Sequence, residues 1–138
     1  MNHLCEKYAM YPVLAPQSVN AAESATSEYA DMQLRDRFTF AVELGAVAAD
    51  KSVKVELLSA DDSSGAGART EGDITYTAPT GGAAKHLVLV CGRVAPDRGR
   101  YLAVKATNNG SAAVVLGAVL MCDSMHWPED AGATTLVV

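Results

Sequence analysis

Cys122, Asp123 and His126 bring a thiol, a carboxylate and an imidazole within five residues of one another. Those are metal-ligand types, and a zinc site needs three or four of them held tetrahedrally. His3 and Cys5, which would have to complete the set, lie at the opposite end of the chain. The expectation is a buried thiol at a strand end beside a surface imidazole, with no metal. Asp61, Asp62 and Ser63 offer oxygens to calcium, but the Asp-x-Asp-x-Asp spacing and the closing Glu of a calcium loop are missing. Gly65-Ala66-Gly67-Ala68-Arg69-Thr70 has the glycines of a phosphate cradle. It lacks the Gly-Lys-Ser/Thr ending and a following helix to present amides, so it reads as a surface loop. No Gly-x-Ser-x-Gly elbow is present to expose a serine nucleophile. Arg93, Arg98 and Arg100 are interrupted by Pro96 and Asp97 and read as a solvated turn. Asn109-Gly110-Ser111 matches a glycosylation sequon but reads as a tight turn. Trp127, beside Pro128, is either a cap on its own core or a contact anchor, since Trp is enriched at interface hot spots.

The chemistry-bearing residues sit on a β-rich frame. Phe38, Phe40, Val42 and Leu44 alternate with Arg37, Thr39, Ala41 and Glu43. Val53, Val55 and Leu57 alternate with Lys54 and Glu56. Period-two alternation marks half-buried strands, and residues 45–51 read as a hairpin loop joining them. The oily face of such a pair needs a second sheet to cover it. Residues 27–34 read as a further strand, with Ala30, Met32 and Leu34 on one side. Residues 72–77 form another, with Ile74 and Tyr76 together. Residues 86–91, His-Leu-Val-Leu-Val-Cys, are continuously apolar and read as a central strand covered on both faces. Asn108-Asn109-Gly110-Ser111 predicts a hairpin between 100–107 and 112–122. The expected core is Phe38, Phe40, Val42, Val53, Val55, Leu57, Leu87, Leu89 and Val104.

Pro12 and Pro16 forbid a helix near the N-terminus and favour extended chain. Tyr8, Met10, Tyr11, Val13 and Leu14 are too apolar for a free tail, so this arm should lie on its own sheet or on a neighbouring subunit. The fold expected is all-β: a β-sandwich or jelly roll of seven to eight antiparallel strands with extended N- and C-terminal segments. The division is an arm at 1–20, the sandwich at 21–124 and an extension at 125–138.

A chain of 138 residues suits one domain. With 49% hydrophobic and 20% charged residues it is globular. A net charge of −5 without a basic run argues against binding nucleic acid. Three cysteines make no disulfide framework. Cys91 and Cys122 lie in apolar runs and read as buried thiols, bridged only if their strands are neighbours. No secretory signal is evident, and the apolar run at 112–122 is too short to span a bilayer.

Four stretches taken in order carry a resemblance. They are Val13-Leu14-Ala15-Pro16-Gln17-Ser18, Thr26-Ser27-Glu28-Tyr29-Ala30-Asp31-Met32, the run from Phe38 through Ala46, and the run from Ser52 through Gly67. Together they resemble small structural proteins encoded among the head genes of tailed bacteriophages, in particular jelly-roll capsid cement, or decoration, proteins. The likeness covers residues 13–68 by motif and the remainder by strand rhythm. It implies a non-enzymatic homotrimer, without cofactors, on the outer head surface of a virion and made in the host bacterial cytoplasm. Its partner would be the major capsid protein, with no nucleic acid, membrane or small-molecule substrate. The contact residues should lie outside the core: Tyr8, Met10, Tyr11 and Pro12 in the arm, and Trp127, Leu136 and Val137 in the extension. Residues 134–138 would suit a strand added to a neighbour's open sheet edge. Two other readings stand beside this one. The first is a tail, neck or fibre-base component of the same virion. The second is a carbohydrate-binding β-sandwich, which would want exposed aromatics near Asp or Asn.

Overall fold

Alternation along the chain resolves into two stacked antiparallel sheets in a computed structural model that describes residues 4–95 and 97–123. A helical turn, α1 (Leu4–Lys7), leads into β1 (Tyr8–Val19), β2 (Ser24–Thr26), β3 (Ala30–Asp31), β4 (Arg37–Leu44) and β5 (Ser52–Ala60). Then come β6 (Arg69–Thr77), β7 (His86–Arg93), β8 (Tyr101–Asn108) and β9 (Val114–Asp123). One sheet has the order β1-β9-β4-β7; the other runs β2-β8-β5-β6, with β3 also on β8. The expected all-β antiparallel sandwich is the observed fold. The extension at 125–138, with Trp127, Leu136 and Val137, lies outside the described residues.

The core forms where the two inner faces meet. Phe38, Phe40, Val42 and Leu44 of β4 are buried, as are Val53, Val55 and Leu57 of β5. Phe38 and Phe40 touch edge to face, with ring centroids 5.9 Å apart at 60°, the geometry favoured by the ring quadrupole. Yet β4 and β5 do not pair. β4 lies between β9 and β7, and β5 between β8 and β6. Residues 45–51 therefore cross from one sheet to the other rather than forming a hairpin. Two strands with one oily face each bury those faces against each other only when stacked, not side by side.

The expected hairpin between 100–107 and 112–122 is corrected in the same way. β8 and β9 belong to different sheets, and Asn108 holds the crossing between them. Its buried side-chain amide donates to Val19 O at 2.9 Å and to Ala112 O at 2.8 Å, while its Oδ1 accepts from Gly110 N–H at 2.9 Å. A buried amide with these partners satisfied is stable in place.

The N-terminal arm is the outer strand of the first sheet, lying on its own subunit. β1 pairs with β9 along its length, from Tyr8 with Asp123 to Val19 with Val114. The ladder shifts register twice, between Tyr11 and Leu14 and between Leu14 and Gln17. Pro12 and Pro16 occupy those two shifts. Proline has no N–H to give a ladder and is tolerated at edges and bulges. The strand read at 27–34 is also shorter than expected. Met32 enters the core, but Leu34 is exposed in a turn at φ +64°.

β7 departs furthest from the sequence reading. Among the described residues it is an edge strand with β4 as its one sheet neighbour. Val88 is buried and Val90 half-buried, whereas Leu87 and Leu89 are 52% and 54% exposed. Both leucines leave the expected core; the other seven members stay in it. Cys91 is exposed and Cys122 buried, with β4 between their strands. A continuous apolar run signals two covered faces only where a second layer lies over each of them, and among the described residues nothing lies over the outer face of this sheet.

Candidate functional site

The outward positions of the four-stranded sheet form a surface unlike an ordinary solvated sheet face. Backbone register places Met10, Met121, Thr39 and Cys91 in one row across the strands. Val119, Ala41 and Leu89 follow in the next, then Gly117, Glu43 and Leu87. Val119 is 45% exposed and Val115, farther along β9, 54% exposed. An antiparallel sheet with one wet face normally puts polar residues there. Here β7 and β9 put Leu and Val outward instead, and contiguous exposed apolar surface marks an interaction site.

Gly117 shapes this surface. A Cβ there would meet Leu14 O at 3.1 Å and the Pro16 backbone at 3.2 Å, so the bulged part of β1 leans directly over β9. The lean makes a groove of about 380 Å³. Pro12, Leu14 and Pro16 form one wall and Lys85 and Leu87 the other. Val119, Ala41 and Glu43 lie along its floor. Glu43 and Lys85 are the charged side chains of an otherwise apolar lining.

Of the contact residues read from sequence, Pro12 lines this groove, and Met10 and Tyr8 stand on the same face beside it. Tyr11 does not join them. It alternates to the inner side and packs on the core, where its hydroxyl accepts a hydrogen bond from Arg35 Nη2 at 2.9 Å. Arg35 Nη1 also donates to Asp123 O, and the Asp123 carboxylate accepts the N–H groups of Asp36 and Arg37 at 2.9 and 3.0 Å. Burial raises the Asp123 pKa, but those amide bonds outweigh it and hold the carboxyl below its usual range. This corner fastens the end of β9 to the start of β4. Trp127, Leu136 and Val137 lie outside the described residues.

The groups singled out for chemistry are dispersed. Among the described residues no cluster of three His, Cys, Asp or Glu side chains is placed to hold a metal. The Asp62 carboxylate closes its own loop, accepting from Ser64 N, Ser64 Oγ and Ala66 N at 2.8, 2.6 and 3.1 Å. Those bonds keep its pKa low. A larger cavity, about 640 Å³, lies among the loops at one end of the sandwich, near Val47, Gly82 and Ser111. Its lining is mostly methyl groups and backbone, and Asn108 beneath it is already hydrogen-bonded. Among the described residues no helix is long and apolar enough to cross a membrane.

Sequence reasoning missed Leu87, Leu89, Val115 and Val119 as surface residues. The signal was present as apolar residues on both faces of two strands, which reads equally as double burial or as one naked face.

No protein-family model and no curated protein matches the chain. Solved structures do. The chain is similar over its full length to 45% of the PBSX exported protein XepA, with a TM-score of 0.57 at 12% identity. It is similar over 87% of its length to 88% of a CBM4 structure, with a TM-score of 0.50 at 8% identity. A third likeness, over 86% of this chain and 13% of dimeric latent PorU from Porphyromonas gingivalis, has a TM-score of 0.50 at 9% identity. At these identities the likeness shows a shared β-sandwich or jelly-roll fold.

Proposed function

We propose that this chain is a non-catalytic structural module that docks onto another protein through the outer face of its four-stranded sheet. In the fuller form of this reading it is a cement protein on the head of a tailed bacteriophage. There it would bind the major capsid protein as a homotrimer and stabilise contacts between coat subunits. The observation that carries the docking reading is the outward row of Leu87, Leu89, Val115 and Val119. Aliphatic surface of this kind gains by exclusion from water against another apolar surface. It has no directional group with which to select a small polar ligand. A trimer presents three copies of the face, so each contact can be weak while the whole binds well.

The test uses Val119→Arg and Ala41→Arg, which put charge at the centre of the face. Binding to assembled capsids should weaken about tenfold or more, as for a central interface residue, while the melting temperature stays put. Unchanged saturation of capsids by both variants would sink the reading. Co-sedimentation with tails and not heads would move the module to the tail, neck or fibre base.

Glu43 and Lys85 in the apolar groove favour a second reading, a carbohydrate-binding module. Sugar sites pair an aromatic platform with polar groups, and among the described residues no aromatic side chain lines this groove. A glycan array decides it: a hit that Glu43→Gln abolishes would favour the sugar.

A further inference from the structure

β6 and β7 are the end strands of their sheets and lie on the same side of the sandwich. Among the described residues nothing covers the core between them. Ile74 sits beside buried Val55 in the β5–β6 ladder and so faces inward, yet it is 52% exposed. The gap is a cleft of about 270 Å³ lined by Ile74, Leu89 and Val90. At one end Tyr76 stacks on His86, with ring centroids 3.6 Å apart and rings 7° from parallel. Tyr76 is near the end of β6 and His86 at the start of β7, so the two strands run in opposite directions.

Among the described residues neither edge has a backbone partner beyond its one sheet neighbour. Val94 donates its N–H to Asp36 O. Antiparallel pairs alternate, so the amides of Leu87, Leu89 and Cys91 point away from β4. Ala78 donates to Lys51 O, which leaves those of Asp73, Thr75 and Thr77 pointing away from β5. Such an edge is a template for another strand.

We propose that a second copy of this chain closes the edge, with β6 of one protomer hydrogen-bonded antiparallel to β7 of its partner. Charge selects this pairing. Lys85 and Arg93 bracket β7 with no acid between them, whereas β6 begins with Arg69 and then carries Glu71 and Asp73, which within the protomer pair with Arg69 and Arg98 and with Lys54. Pairing β7 with a second β7 about its centre would set Lys85 against the partner's Arg93, and like charges directly opposite are destabilising. Pairing β6 with β7 sets acid beside base. A rotation axis along the strands preserves strand direction, so every β6 meets the partner's β7 antiparallel. Ile74 and Val90 of each copy then face the axis and seal the open core. Two or three copies close equally well, and three would give the trimer of the proposed function. The contact itself needs no coat protein, so it stands or falls apart from the docking reading.

Sedimentation of the free full-length protein should show an oligomer at micromolar concentration. Ile74→Lys, at a half-exposed site away from the outer docking face, should give a monomer with an unchanged circular dichroism spectrum. Asp73→Cys, placed to meet the partner's Cys91, should yield a covalent dimer with a short bifunctional thiol reagent. Adding Cys91→Ser should remove that dimer. The cysteine pair tests the contact even where Ile74→Lys does not fold. A wild-type monomer at about 100 μM, tenfold above a 10 μM dissociation constant, would overturn the proposal. So would a folded Ile74→Lys oligomer, or the absence of the crosslink.

Discussion

Asn108 should be the most sensitive polar residue in the molecule. Its side chain ties the end of β8 to Val19 of β1 and to Ala112 at the approach to β9. In Asn108→Ala all three of its bonds are lost. Gly110 and Ala112 border the loop-end cavity, so water can replace their partner. Val19 is buried, and its carbonyl loses this donor where water does not replace it. An unsatisfied buried carbonyl costs about 1–3 kcal/mol and each water-exchanged bond about 0.5–1.5. The expected loss is thus about 2–6 kcal/mol. A chain this long has an unfolding entropy of roughly 0.3 kcal/mol/K, so the melting temperature should fall by about 7–20 °C in calorimetry. Asn108→Asp adds a sign to the test. Its carboxylate would face two carbonyl oxygens, which raises its folded pKa above the unfolded value of about 3.9. The penalty relative to wild type should therefore grow as pH rises above about 4 and shrink below it. A melting temperature within about 2 °C of wild type for Asn108→Ala, under 1 kcal/mol by the same conversion, would refute the clamp.

Phe40→Ala, at a fully buried ring, should cost about 3–5 kcal/mol in urea unfolding, whereas Leu89→Ala should stay within about 0.5 kcal/mol. Equal costs would place β7 back in the core. Asp31, bonded to Arg100, and Asp123, with the amides described above, both have carboxyl pKa values below the usual range. A depressed folded pKa stabilises above the unfolded value and loses that contribution as pH falls through the folded one. The stability gap between wild type and Asp123→Asn should therefore be flat above about pH 5 and close below about pH 4, as read by urea titration across pH.

Much of the fold was legible in residue order. Period two named the buried faces of β4 and β5, because successive side chains of a strand must point to opposite sides. Asn108 to Ser111 marked a sharp turn, and Pro12 and Pro16 marked extended chain. None of these signals says what a strand lies beside. β4 and β5, and again β8 and β9, follow one another through turn-like loops. Pairing side by side and stacking across a core bury the same residues, so local pattern does not separate them. The apolar outer face was the least legible part. Leu87 and Leu89 read as core because hydrophobicity is a property of the residue, whereas burial depends on what the rest of the chain brings to it. Only the assembled sheets, which cover the inner face that holds Val88, leave those leucines outward, since no segment among the described residues covers them.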